Sequence, residues 1–265
     1  MFDNIERFTN IFKKLEVHAV DLSGKYALVT GASEGIGFYT ALHLAKMGCA
    51  VTIASRSEQK CKDAVKSLKK LSNNDLIDYE ILDLGSFQSV KDFSEKFNKR
   101  KSLDYLINNA GIVCRNFAKT ADGIEKNTHV NHLGPVQLTL LLLPTVKKAE
   151  NPRIIFLSSD LHLDTSLTLP YDLQSHQFPI GFSSYNKSKL MNVLTVRKLA
   201  REIPSSEILI CAVHPGFVAT DLPNNTISNN WKDYIMGKVV SIMQMLIGRT
   251  GEQGALTSVY AVTAN

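Results

Sequence analysis

From Lys25 onward, short apolar runs alternate with segments whose apolar positions recur every three or four residues. The runs YALVT (26–30), AVTIAS (50–55), YEILD (79–83), LDYLIN (103–108), RIIFLS (153–158) and ILICAV (208–213) predict strands. Most are continuously apolar rather than alternating, the pattern of strands buried on both faces of a parallel sheet. Between them, EQKCKDAVKSLKKL and FQSVKDFSEKF predict helices capped by Ser57 and Ser86, and Gly48 follows a helix over 36–47 where a left-handed residue closes the last turn. The expected fold class is α/β, a doubly wound parallel sheet in one domain over residues 23–265. Ligands of such sheets bind beyond the carboxyl ends of the strands.

Residues 1–22 read as a separate N-terminal amphipathic helical extension. Phe2, Ile5, Phe8, Phe12 and Leu15 recur at helical spacing, while Glu6, Arg7, Lys13 and Lys14 take other faces. Packing on the domain or on a second subunit is the simpler expectation, and lying on a membrane surface is the alternative. A homodimer and peripheral membrane contact therefore both stay open.

Composition narrows the classes. The chain is 44% hydrophobic and 21% charged, as soluble globular proteins are. Its net charge of +5 is spread along the chain, which gives nucleic-acid binding little support. Cys49, Cys61, Cys114 and Cys211 lack metal-type spacing and read as thiols of a reducing compartment. His129, His132, His162 and His214 have no carboxylate at ligand spacing, so no metal is expected. No run reaches the roughly 18 apolar residues of a membrane span, and the start has no cleavable signal pattern. The expected location is cytoplasmic, or membrane-associated through the extension.

The candidate chemistry begins at the first strand. VTGASEGIG joins it to its helix with glycines at 31, 35 and 37. Such a turn lets the backbone approach a pyrophosphate while the helix N-terminus offers amide N–H groups; a tight turn with no ligand is the bland alternative. The second strand ends in Ser55 and Arg56, where nucleotide-binding chains read the adenosine ribose. A guanidinium there suits a 2′-phosphate, so NADP(H) is expected ahead of NAD(H), unless Arg56 is simply a solvated charge. Asp83 is placed to reach the adenine or to cap the following segment. SSYNKSK (183–189) stacks Tyr185 one helical turn before Lys189, yet Tyr234 and Lys238 share that spacing. Spacing alone does not choose between the pairs.

Order and context do. TGASEGIG (30–37), Asp83, NNAG (108–111), NHLG (131–134), the serines 158 and 159, YNKSK (185–189) and HPGFVATD (214–221) follow one another at compatible distances. In this the chain resembles the short-chain dehydrogenase/reductase family over nearly all of residues 23–263, and its retinol dehydrogenase-like branch most. The resemblance implies a Rossmann-type domain with Asn131, Ser159, Tyr185 and Lys189 as catalytic residues. Ser159 is preferred to Ser158 because the family's serine is usually the second of the pair, and neighbouring strand residues point oppositely. It further implies that Gly31, Ser33, Glu34, Gly35, Ile36 and Gly37 cradle the cofactor phosphates. Ser55, Arg56, Asp83 and Leu84 would hold its adenosine end, and Asn109, Ala110 and Gly111 its middle. Lys189 would hold the nicotinamide ribose, Tyr185 would adjoin the ring, and Pro215, Gly216, Val218 and Thr220 would bend around it. Asn131 would help to position a water in a proton relay.

The chemistry implied is hydride transfer. A carbonyl oxygen that becomes an alkoxide must be protonated, and a tyrosine with pKa near 10 needs a nearby ammonium to act as base in the reverse direction. The expected function is an NADP(H)-dependent oxidoreductase that interconverts an alcohol and a carbonyl on a hydrophobic, retinoid, steroid or other lipid-like, small-molecule substrate. The alternative is a low-turnover nucleotide-binding scaffold or sensor of the same fold. Segment 235–248, IMGKVVSIMQMLIG, reads as core or as a flexible wall for an apolar substrate. Family members usually carry one more strand after the helix that ends near Ala264, and this chain is expected to lack it.

Overall fold

The computed structural model describes residues 16–114, 116–167, 183–216, 218 and 249–264. The N-terminal extension up to residue 15, Thr220, the pair Tyr234 and Lys238, and segment 235–248 lie outside the described residues.

The chain alternates β1 (Tyr26–Thr30), α1 (Gly35–Lys46), β2 (Ala50–Ser55), α2 (Glu58–Ser72), β3 (Ile77–Ile81), α3 (Phe87–Phe97) and β4 (Tyr105–Asn108). A short helical turn, Lys126–Thr128, then runs through a π-helical turn, His129–Leu133, into α4 (Gly134–Val146). β5 (Arg153–Leu157), α5 (Ser183–Glu202), β6 (Leu209–Val213) and α6 (Gly251–Thr263) complete the order. The six strands form one parallel sheet in the order β3-β2-β1-β4-β5-β6. Strand order reverses between β1 and β4, and sheets of this kind bind ligands beyond the carboxyl ends at such a reversal.

Side-chain alternation builds a core on each face. Ala27 and Val29 of β1 join Ile53, Ile107 and Ile155 beneath α1, α2 and α6, where Leu44, Leu68 and Val262 pack. Leu28, between them, faces the other way with Leu106, Ile154 and Phe156 against Phe93, Leu138, Leu142 and Val196 of α3, α4 and α5. This doubly wound arrangement explains why β1, β4 and β5 read as unbroken apolar runs.

The caps follow the sequence. The hydroxyls of Ser57 and Ser86 accept the backbone N–H of Lys60 and Ser89, and Gly48 takes φ +87° after α1. One strand is displaced: β3 begins at Ile77 and stops at Ile81, two residues ahead of the apolar run YEILD. It is an edge strand with partly exposed side chains, so an apolar run does not define it. Beyond it, the Asp83 carboxylate accepts Gly85 N–H at 2.8 Å and turns the chain toward α3.

Candidate active site

The crevice floor is laced between the ends of β1 and β4. The Thr30 hydroxyl accepts the N–H groups of Asn109 and Ala110, both at 3.1 Å. The Asn109 amide donates back to the carbonyls of Thr30 at 2.8 Å and Gly31 at 3.2 Å. Gly31 has φ +66°, and a Cβ there would lie 2.7 Å from Ala110 Cα. At Gly37 a Cβ would collide with the Asn109 amide and come within 2.6 Å of the Gly31 carbonyl. Both glycines are demanded by close approach of neighbouring chain.

This turn has the makings of a phosphate cradle. Glu34, the N-cap of α1, makes no side-chain capping bond, and no acidic residue occupies the first turn. The Glu34 carboxylate is instead paired with Lys60 at 2.8 Å on the exposed surface. A Cβ at Gly35 would meet nothing within 4 Å, so the helix N-terminus faces open space. Ile36 is half-buried, near Gly254 of α6. At the end of β2, Ser33 Oγ donates to Ser55 Oγ at 3.3 Å, and Arg56 is exposed without an ion pair among the described residues. Asp83 is exposed beside the buried Leu84.

The other wall carries the titratable groups. Ser158 is buried and its hydroxyl donates to the Lys189 carbonyl at 2.9 Å, anchoring α5 to the end of β5. Ser159, the next residue, is half-buried, shares a hydrogen bond with the Tyr185 phenol, and caps the following 3-10 turn through Leu161 N–H. One turn along α5, Lys189 Nζ donates to the Leu157 carbonyl at 2.9 Å and stands 5.6 Å from the Tyr185 ring centre. A Cβ on Gly111 would lie 3.3 Å from that ammonium, so the third segment of the floor ends at Lys189.

Burial lowers the Lys189 pKa to about 8. Burial also raises that of Tyr185, and the Ser159 hydrogen bond only partly offsets it. In the free protein, desolvation is the larger effect on the phenol.

Asn131 sits in the π-helical turn, a distortion frequent at functional sites. Its side chain is spent on the backbone of Ile112: Oδ1 accepts the N–H at 2.8 Å and Nδ2 donates to the carbonyl at 2.9 Å. Nδ2 also reaches Ser188 Oγ at 3.1 Å. Asn131 thus ties the segment after Gly111 to α5. Glu125, buried, starts this region by accepting the N–H groups of Asn127 at 3.0 Å and Thr128 at 2.7 Å.

Pro215 and Gly216 follow β6, with Gly216 at φ +82° against Arg249, and Val218 pairs in a parallel bridge with Arg249. The histidines lie apart in role. His129 meets the Thr120 hydroxyl at 2.8 Å, His132 meets Asn192, His162 meets the Ser159 carbonyl, and His214 accepts Gly216 N–H at 3.1 Å. Among the described residues, no cluster of His, Cys, Asp and Glu could hold a metal, and all four cysteines are free thiols. No helix among them is long and apolar enough to cross a membrane. Asn192 and Ser188 join this site without having been singled out in the sequence, although both lie within a turn of Lys189 on α5.

A glycine turn after β1, a strand-end serine beside a helical tyrosine, and a buried lysine one turn further thus stand together at the carboxyl ends of a parallel sheet. The sequence matches the family model for short chain dehydrogenase over residues 25–231, and the chain belongs to that family, whose oxidoreductases act on CH–OH groups. It is 35% identical over 246 residues to retinol dehydrogenase 12 of Mus musculus, covering 92% of this chain and 75% of that one. Polyprenol dehydrogenase of Homo sapiens is 36% identical over 244 residues, covering 89% and 72%. Among solved structures, a short chain dehydrogenase/reductase from Burkholderia phymatum in complex with NAD superposes with a TM-score of 0.73 at 18% identity, covering 93% of this chain and 87% of that one.

Proposed function

We propose that this protein interconverts an alcohol and a carbonyl on a hydrophobic small molecule, of retinoid or similar lipid-like kind, using NADP(H) with Tyr185 as general acid and base. The observation that carries this reading is the Ser159–Tyr185 hydrogen bond with Lys189 one turn away, at strand ends beside the glycine turn. Relatives named for retinol and polyprenol, both apolar alcohols, support the substrate class.

The residues present fit a dinucleotide. The free first turn of α1, at Gly35 to Gly37, suits a pyrophosphate, and the crowding at Gly31 and Gly37 keeps the backbone close. Ser33, Ser55 and the exposed Arg56 suit a 2′-phosphate, which favours NADP(H) over NAD(H). Asp83 and Leu84 would flank the adenine, Asn109 to Gly111 the linking riboses, and Pro215, Gly216, Val218 and Thr220 the nicotinamide. When bound, the cofactor supplies or accepts the hydride.

The chain's own groups handle the proton. Ser159 holds the substrate oxygen beside Tyr185 by a hydrogen bond that strengthens as negative charge builds there. Tyr185, a neutral phenol in the free protein, gives its proton to that oxygen in the reductive direction and recovers it in the oxidative one. Lys189 stabilises the phenolate so formed and would hold the ribose hydroxyls of the bound cofactor. Asn131 keeps the Ile112 segment and α5 in register around the pair.

Tyr185→Phe tests the reading. Turnover of a panel including retinal and long-chain polyprenyl aldehydes should fall by about a hundredfold or more, with NADPH affinity within about threefold of wild type. A variant that turns over as fast as the parent would overturn it.

A further inference from the structure

Past Gly111 the chain leaves the sheet. Among the described residues, no backbone-to-backbone hydrogen bond holds Ile112, Val113 or Cys114. Two side-chain amides take the place of a neighbouring strand. Asn131 binds both the N–H and the carbonyl of Ile112. Asn127, fully buried one turn earlier, does the same for Cys114: its Oδ1 accepts the N–H at 2.7 Å, and its Nδ2 donates to the carbonyl at 2.8 Å. Alternate residues that turn N–H and C=O to one side have the bonding pattern of a strand edge. Such residues lie about 6.6 Å apart along extended chain, and residues four apart on a helix face stand about 5–6 Å from each other, so the two repeats match.

Each amide also reaches α5. Asn131 Nδ2 bonds Ser188 Oγ at 3.1 Å, and that hydroxyl donates to the Tyr185 carbonyl at 2.6 Å. Asn127 Nδ2 bonds Ser184 Oγ at 2.7 Å. Ser184 precedes Tyr185 and Ser188 precedes Lys189, so the two rungs bracket one turn of α5. Glu125 sets the outer rung: its buried carboxylate accepts the N–H of Asn127 at 3.0 Å and lies 3.0 Å from Nδ2. With three oxygens around Nδ2, turning the amide over would set its own oxygen against a carbonyl and a carboxylate, so its orientation is fixed.

We propose that Asn127 is a positioning residue. With Asn131 it clamps residues 112–114 alongside the Tyr185–Lys189 turn, where the half-buried Ile112 and Val113 form an apolar wall for the body of the substrate. Asn131 fixes the end next to Gly111, which approaches the Lys189 ammonium, and Asn127 fixes the end away from it. The outer rung therefore acts on how an extended apolar molecule lies rather than on the proton chemistry. The inference rests on reading Tyr185 as the group that meets the substrate oxygen.

The test uses the full chain, with Asn127→Leu, Ser184→Ala and the double variant, NADPH as cofactor, and retinal and hexanal as substrates. Amide hydrogen exchange of wild type, followed by NMR, should find the Cys114 N–H protected; free exchange there would overturn the proposal. Asn127→Leu should speed that exchange by about tenfold or more and that of the Ile112 N–H far less. No change at Cys114, or an equal change at both, would refute the rung. In turnover, Asn127→Leu should lose about tenfold or more in kcat/KM for retinal, chiefly through KM, and stay within about threefold for hexanal, with NADPH affinity and the pH profile unchanged. An equal loss on both aldehydes would leave only a general structural role, and no loss on either would leave none; both outcomes refute the positioning role. Ser184→Ala should show the same selective loss, smaller at about threefold, and the double variant should be no worse than Asn127→Leu, because Ser184 acts through Asn127. Losses that multiply would break the proposed link to α5. Tyr185→Phe, run alongside, separates the two readings. If it stays active, the assignment of Tyr185 fails and the substrate wall with it, while amide exchange still judges the clamp itself. Should Asn127→Leu not fold, wild-type exchange and Ser184→Ala still decide.

Discussion

Lys189 gives up its proton at about pH 8 in the folded chain, against 10.5 for an ordinary lysine. The unfolded chain then binds more protons between those values, so this group makes stability rise with pH from about 8 to 10.5, and below 8 its full cost is carried. Lys189→Met should therefore raise the melting temperature near neutral pH while abolishing turnover. The gain, on the order of 3 kcal/mol at most, should shrink above pH 8 in thermal unfolding across the range. A less stable variant at pH 7 would mean that the ammonium's bond to Leu157 outweighs its desolvation. Arg56 is the opposite case, an exposed cation whose predicted value lies only in what it binds. Arg56→Asp should weaken NADPH by about tenfold or more and leave NADH binding equal or tighter, by titration with each. Equal NADPH affinity would remove Arg56 as the phosphate reader. Tyr185, Lys189 and Ser159 were legible because a motif names them. Asn192 was not, because its partners Asn131 and Leu157 are 61 and 35 positions away and no local pattern reports a bond across the fold.

At the scale of elements, what was legible depended on burial. Strands covered on both faces announce themselves as apolar runs, and β1 and β2 fall where Tyr26–Thr30 and Ala50–Ser55 predict. The edge strand β3 does not, since half of its surface is wet and its pairing with β2, from Val51 opposite Ile77 to Ser55 opposite Ile81, sets its limits. The π-helical turn was also hidden. The junction of α1 with the end of β4 offers a sharp test. At Gly37 the obstacles are the Gly31 carbonyl and the Asn109 amide, both fixed by the floor's own bonds. Gly37→Ala should cost about 1–3 kcal/mol in urea unfolding and lose nucleotide binding with it. Stability unchanged by this substitution would show that the turn yields more easily than its packing implies.

For the whole molecule, a ligand that bridges the ends of β1, β2, β4 and β5 should stabilise the sheet as one unit. Saturating NADPH at about a hundred times its dissociation constant should add roughly 2.7 kcal/mol to unfolding, and NADH at the same concentration less, as calorimetry would register. Equal shifts for both would argue against a cofactor preference. Parallel strand ends commonly fray, yet here Thr30 and Asn109 bind each other's backbone in both directions. The exposed or half-buried Ser33, Ser55 and Arg56 stand apart from that knot. On the proposed reading, in which those three residues read the cofactor, its choice becomes a separable trait: the rim can be exchanged by a few substitutions, in evolution or at the bench, while the knot beneath keeps the architecture unchanged.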